Sequence, residues 1–237
     1  MTLSNNIPSS ISTLSVLVSQ NGLLFSGWGS EERFKYYIDL TGKNLTSALR
    51  DFYESAPQLR RAIAVDVVYD SPQFAVVPLE LFQEENASVY LEHTVASIAT
   101  DLVRHDILED LGVVIVYLID QQLEDLLLEY HGEFNHVHVL ERRYTALENI
   151  NTEQPHKLLL HLTENTCDLL VLDRENKFIY FNMFTTDTVN DVMYYLLFVI
   201  QEVKLDQTEL SLNVTGKHAD HEELMQRAAQ YIKYINA

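Results

Sequence analysis

The sequence predicts an α/β protein built from one structural unit used twice. Two observations carry this. Segments beginning near Leu14 and near Leu158 each place three short apolar runs before an amphipathic stretch and a fourth run, and a polar linker over 151–156 stands between the halves. Hydrophobic residues make up 47% of the 237 positions, with 13 Tyr and 10 Phe among them, so the chain can bury enough area to offset its conformational entropy and is not disordered.

In the first half the strand-like runs are 14–19, 23–28 and 34–40. Their joints, Gln20-Asn21-Gly22 and Gly29-Ser30-Glu31-Glu32, suit hairpin turns because Asn and Gly tolerate positive φ. Asn44 is a good N-cap for a helix whose Leu45, Ala48, Leu49, Phe52 and Tyr53 fall at helical spacing and which Pro57 ends; 62–69 supplies the next strand. Residues 73–77 read as a strand closed by Pro78, 79–83 as a short helical turn, and 88–107 has no decisive pattern. The apolar run 111–119 reads as a strand buried on both faces, as in a parallel sheet covered by helices. Asp120 caps a helix carrying Leu123, Leu126, Leu127 and Tyr130, followed by a short strand at 137–140 and a helix at 143–150. In the second half, runs at 158–162, 167–172 and 177–184 repeat the meander, with Asp173-Arg174-Glu175-Asn176 as a polar turn. A helix over 188–204, a strand over 209–215 and a helix over 219–231 complete it. Nine consecutive apolar residues, 192–200, exceed one helical stripe about 100° wide, so this helix is expected to be covered on two faces, one by the second-domain sheet and the other by the first domain or a partner subunit, and Leu197→Ala to cost about 2–5 kcal/mol if Leu197 lies in the core. The domains expected are 1–152, with an insertion around 70–110, and 153–237.

Charge narrows the partners. Thirty-five acidic against 16 basic side chains leave a formal charge of -19, which repels phosphate backbones and excludes nucleic acid. The longest apolar run is about half of the roughly 20 residues needed to span a bilayer, so no membrane insertion is expected. One cysteine, Cys167, excludes an internal disulfide, and residues 1–10 lack the features of a secretory signal; both observations suit the cytoplasm.

A repeated β-β-β-α-β unit is the arrangement of the actin-like ATPase fold, two ribonuclease-H-like domains with mixed sheets flanked by helices. Val139-Leu140-Glu141-Arg142-Arg143-Tyr144-Thr145-Ala146-Leu147 resembles the strand and helix that lead into the second domain of cell-division and pilus-assembly members, 158–184 takes the place of their phosphate-binding hairpin, and Leu210-Ser211-Leu212-Asn213-Val214-Thr215-Gly216 that of the strand ending at the adenosine. Over its whole length the chain resembles one uncharacterised bacterial family, the domain-of-unknown-function family three-eight-two-two. The opening hairpin 14–28, Phe74-Ala75-Val76-Val77-Pro78-Leu79-Glu80-Leu81-Phe82, and Tyr194-Tyr195-Leu196-Leu197-Phe198 carry that match. The resemblance implies the fold and no activity.

An ATPase of this fold needs two glycine-containing hairpins, usually with an Asp, so that backbone amides reach the phosphates and a carboxylate organises metal and water. Here the first hairpin reads Ser19-Gln20-Asn21-Gly22, with one glycine and no acid, and the second Thr163-Glu164-Asn165-Thr166-Cys167, with neither glycine nor Asp; Gly216 ends the adenosine strand. Only seven glycines occur, about half the usual share. Ser19, Gln20, Asn21, Gly22, Glu164, Asn165, Thr166 and Gly216 therefore read as vestigial loop positions, no catalytic residue, metal or cofactor is assigned, and the chain reads as a non-catalytic protein-interaction module. A diverged ATP-dependent enzyme or nucleotide switch is the alternative. The partner is an unidentified protein, and a homodimer is left open.

Other constellations are weaker. A nuclease would need clustered carboxylates, and Asp66 and Asp168 stand one to each half. His131, His136 and His138, with Glu133 between them, and the pair His218 and His221 fall near metal-ligand spacing but lack a completing set. Cys167 with His161 would make a nucleophile and base only if both faced one side of the hairpin.

Overall fold

Both halves of the sequence fold into a five-stranded sheet with the same strand order. In the computed structural model, which describes residues 7, 10–29, 33–92, 94 and 101–236, β1 (Ile11–Ser19), β2 (Gly22–Gly29) and β3 (Arg33–Asp39) form an antiparallel meander. Helix α1 (Leu45–Ser55) and a 3-10 turn at Pro57–Arg61 lead to β4 (Ala64–Tyr69), parallel to β1. After β5 (Phe74–Pro78), α2 (Ala87–Leu91), β6 (Asp101–Leu108), β7 (Val113–Asp120) and α3 (Gln121–His131), β8 (Asn135–His138) joins β4 in parallel and completes the order β3-β2-β1-β4-β8. Helix α4 (Val139–Glu148) precedes the second sheet: β9 (His156–Leu162), β10 (Thr166–Asp173), β11 (Phe178–Thr185), α5 (Val189–Glu202), β12 (Leu210–Gly216), α6 (His221–Ala228) and β13 (Tyr234–Asn236), ordered β11-β10-β9-β12-β13. The chain separates into two compact units, one of Met1–Val77, Phe82–Asp106 and Ile115–Val139, the other of Pro78–Leu81, Ile107–Val114 and Leu140–Ala237. None of the described helices is long and apolar enough to cross a membrane.

The helix starts follow from their caps. Asn44 accepts a hydrogen bond from the Ser47 N–H at 3.0 Å and Asp120 from that of Leu123 at 2.7 Å. Thr188 and Asp191 form a reciprocal capping box for α5. Each satisfies donors that the first helical turn leaves without intrahelical partners.

Three elements differ from expectation. Helix α4 starts at Val139, four residues earlier than the sequence pattern indicates, because Leu140, Arg143 and Leu147 already follow helical spacing. Strand β7 is buried as expected, but as the middle strand of a separate three-stranded sheet, β5-β7-β6, rather than within either large sheet. Strand β13 is only three residues long and leaves no periodic signal. The stretch 88–107 contains the greater part of α2 and of β6, both described in full; 93 and 95–100 lie outside the described residues.

Within the single chain, helix α5 is covered on one broad side, by the second sheet. Val192, Leu196, Val199 and Ile200 pack on Leu160, Leu169, Val171 and Leu212 of the second sheet, whereas Tyr194 is 62% and Phe198 40% exposed. Successive residues turn by about 100°, so the apolar run must send some side chains away from the sheet. Leu197 is half-buried; Leu196, fully buried, holds the core position. Leu196→Ala is expected to cost about 2–5 kcal/mol and Leu197→Ala clearly less, measured by urea denaturation of each variant. Equal losses would contradict this placement.

The opposite face of the second sheet is mixed: Leu159, Leu170 and Leu172 are buried on it beside polar side chains. Lys157, Asp168, Ser211 and Asn213 are buried there. Asn236 secures the short β13 by donating to Asn213 Oδ1 at 2.9 Å and to Ser211 Oγ at 3.3 Å.

Candidate functional site

The β1–β2 hairpin closes through Gln20 and Asn21, with Ser19 opposite Gly22 and the Ser19 hydroxyl donating to the Gly22 carbonyl at 2.9 Å. The expectation that this joint uses positive φ fails. Among the described residues only Asn176, Lys204 and the glycines 42, 112, 132 and 216 adopt it. Gly22 is needed for a different reason: a Cβ there would collide with the Ile38 carbonyl oxygen and stand 2.6 Å from the Tyr37 hydroxyl, so it gives β3 room to pass. Its lack of a side chain serves strand packing.

The β9–β10 turn bonds its two threonines to each other. Thr163 N–H donates to the Thr166 carbonyl at 3.0 Å, and Thr166 N–H donates to the Thr163 hydroxyl at 3.0 Å. The two threonine hydroxyls meet at 2.7 Å, and the Asn165 carbonyl accepts from Thr186 N–H at 2.9 Å. Glu164 and Asn165 stand exposed at the tip. Gly216, at the end of β12, has φ +84° and lies against β9: a Cβ would collide with the Leu162 carbonyl oxygen and stand 2.9 Å from the Leu162 nitrogen. It too is spent on contact between strands.

Close to this turn lies a buried ion pair. Arg143 Nε on α4 donates to Asp168 Oδ2 on β10 at 2.7 Å, with Asp168 only 1% exposed. Asp168 faces His161 across the β9–β10 ladder, and His161 Nδ1 pairs with Thr215 Oγ1 at 2.9 Å. Burial pushes the Asp168 carboxyl above the ordinary carboxylate range, and the Arg143 guanidinium opposes that shift. Burial, helped by the same guanidinium, lowers His161 to about 3, so the ring is neutral. The sequence contained a signal for the pair: an acid inside the apolar run Cys-Asp-Leu-Leu-Val-Leu needs a cation. Arg143 itself carries no sequence mark as its source.

The first unit holds a second buried carboxylate that sequence reasoning missed. Glu124 on α3, 2% exposed, accepts from the Tyr69 hydroxyl at 3.2 Å, from Arg104 at 3.4 Å and meets His136 Nε2 at 2.8 Å. That contact occupies one of the three histidines considered for metal. His131 Nε2 meets the Tyr53 hydroxyl at 2.6 Å, and burial lowers its pKa to about 4; the backbone N–H of His138 donates to Asp106 Oδ2 at 2.7 Å. His218 Nδ1 accepts from Asp220 N–H at 3.2 Å, and His221 opens α6. Among the described residues, no three His, Cys, Asp or Glu side chains gather for a metal ion. Asp66 accepts from Asn135 at 3.1 Å.

Cys167 pairs with Leu162 in the β9–β10 ladder, and His161 with Asp168, so Cys167 and His161 lie on opposite faces of the sheet. Burial pushes the thiol up to about 12. A protonated thiol facing the apolar core, without a base, is not a nucleophile.

No functionally curated protein matches the sequence. A protein with actin-like ATPase fold and unknown function from Bacteroides thetaiotaomicron is similar over 96% of this chain and 91% of its own, at 25% identity and a TM-score of 0.83. A chain of the PilM–PilN type IV pilus biogenesis complex is similar over 96% of this chain and 88% of its own, at 12% identity and a TM-score of 0.53, a likeness of fold alone. The family model for proteins of unknown function DUF3822 matches residues 4–235. With two β-β-β-α-β sheets of one strand order and a match across nearly its whole length, the chain has the actin-like ATPase fold and belongs to the DUF3822 family.

Proposed function

We propose that the protein is a cytoplasmic, non-catalytic interaction module on an actin-like scaffold, with degenerate nucleotide loops at Ser19, Gln20, Asn21, Gly22, Glu164, Asn165, Thr166 and Gly216. The observation that carries this reading is the β9–β10 turn. Two of the backbone amides that a phosphate would draw on there, those of Thr163 and Thr166, are bonded within the turn, and Glu164 sets a negative charge beside the tip amides that remain. The use of Gly22 and Gly216 to let strands pass supports it, since neither glycine is held open for a ligand. Charge supports it as well: the whole chain carries -19, which disfavours a polyphosphate. The lone buried Cys167 fits a reducing compartment.

The test is thermal unfolding with Mg-ATP. A ligand at about 100 times its dissociation constant stabilises by roughly 2.7 kcal/mol. Each kcal/mol moves the midpoint of a chain this size by about 2–4 °C. Millimolar Mg-ATP with an affinity of about ten micromolar would thus raise the midpoint by several degrees, and no shift is expected. A reproducible shift, confirmed by calorimetry, would replace this reading with that of a diverged ATP-dependent enzyme or nucleotide switch.

A further inference from the structure

Each large sheet turns one face to its own helices, and the faces turned the other way differ between the two sheets. Counting from the hairpin turns, Leu17 and Leu24 of the first sheet stand where His161 and Asp168 stand in the second. In the second sheet that face is closed: Asp168 and Leu170 are buried on it, and helix α4 reaches it through Arg143. In the first sheet it is open. Arg33, Trp28, Thr13 and Ala64 lie side by side across β3, β2, β1 and β4, and all four are exposed. Lys35 and Tyr37 continue the open area along β3. Trp28 is 51% and Tyr37 46% exposed, and large apolar side chains left in the open mark surfaces that meet another molecule.

The second unit presents the reverse, a helix with an unused apolar stripe. On the side of α5 away from its sheet, Tyr194, Leu197, Phe198 and Gln201 follow the i, i+3, i+4, i+7 spacing of one helix face. Tyr194 is 62% and Phe198 40% exposed, with their rings stacked at a centroid distance of 6.2 Å.

We infer that this stripe of α5 docks on the open face of the first sheet of a second copy, so that each chain offers a sheet face to one neighbour and a helix to another. The inference gives the interaction module a partner, a second copy of itself. A helix suits the open face because the matching face of the second sheet accepts one, α4. Charge selects which helix. The open face carries Arg33, its guanidinium 3.8 Å from the Trp28 ring centre, and Lys35. Its Asp39 and Asp66 are engaged, accepting from the Thr41 N–H at 2.9 Å and from Asn135 at 3.1 Å. Helix α5 carries Asp191 and Glu202 and no basic residue. Pairing sheet face with sheet face would set Arg33 and Lys35 against their own copies, and pairing α5 with α5 would do the same to its acids. The crossed contact brings opposite charges together. It is heterologous, because the two patches that meet are different ones.

The contact stands whether or not the loops bind nucleotide, and its test contains none. Sedimentation velocity of the full chain in 0.15 M salt over about 1–200 μM, the range in which modest interfaces associate, is expected to show a mass that rises with concentration. Tyr194→Lys brings a like charge to Arg33 and Lys35, and Trp28→Glu brings one to Asp191 and Glu202. Each variant alone is expected to stay monomeric with unchanged circular dichroism. Mixed in equal amounts they are expected to form a two-chain complex, because one keeps its sheet face and the other its helix stripe. Should either fail to fold, Gln201→Lys and Lys35→Glu, both at exposed positions, replace them; each alone weakens association by roughly tenfold, and their mixture recovers it. A wild-type chain that is monomeric at all concentrations would overturn the inference and assign the two faces to another protein. A variant that assembles alone as well as wild type would overturn it in favour of a contact between like faces, and a mixture that stays monomeric would overturn it as well.

Discussion

Arg143→Ala is expected to destabilise the protein by about 3–5 kcal/mol, because it leaves Asp168 buried without its cation. The loss exceeds that of an exposed ion pair, about 0–1 kcal/mol, because water cannot take the place of the guanidinium. A double change, Arg143→Met with Asp168→Leu, should recover most of it, since removing both charges removes the desolvation cost. The variant should also be pH dependent. Burial raises the Asp168 pKa in the folded state above its unfolded value near 4, so over that window the native state holds the proton more tightly. Stability then falls as pH rises through the window. Without Arg143 the upward shift is larger, so the deficit of the variant should be small near pH 4 and full at pH 7. Urea denaturation of wild type and variant at both pH values measures this, and a deficit independent of pH would show that Asp168 is not the group responsible.

Gly216→Val should be at least as damaging, with a loss above about 4 kcal/mol, the range in which single substitutions become exceptional. Two costs add. An L side chain at φ +84° carries conformational strain of about 1–3 kcal/mol, and its Cβ would strike the Leu162 backbone, which cannot retreat without breaking the β9–β12 pairing. Gly42 separates the two. It has φ +68° but nothing within 4 Å of the point where a methyl group would stand, so Gly42→Ala should cost only the strain. Comparing Gly42→Ala, Gly216→Ala and Gly216→Val in urea, similar losses for the two alanines would contradict the steric account. A Gly216 variant that no longer bound a nucleotide would thus report lost folding rather than lost contact.

Most strands could be read in the sequence because turn residues bracket them: Asn21-Gly22 and 173–176 mark hairpins that the structure contains. The start of α4 could not, because Val139 and Leu140 suit either a strand or a helix and only the spacing of Leu140, Arg143 and Leu147 decides. At the loops, the residues were legible and their reasons were not. Gly22 and Gly216 were visible as glycines, but the strands they accommodate, β3 and β9, become neighbours only in the folded sheet. The same holds for Arg143 and Asp168, 25 residues apart and joined by the packing of α4 on β10. For Cys167 and His161, the ladder register decides what sequence separation cannot: six residues apart across a turn, they face opposite ways.

Strand β13 is easily dismissed as a minor fragment, yet it acts as a lid on the edge of β12. Beneath it lies Leu-Ser-Leu-Asn-Val-Thr-Gly, an uncharged strand, whose buried Ser211 and Asn213 use the Asn236 amide. A chain lacking 234–236 would present that strand bare, with polar groups that had lost their partner. Three residues therefore stand between β12 and an uncovered edge, which makes 234–236 a poor place for cleavage.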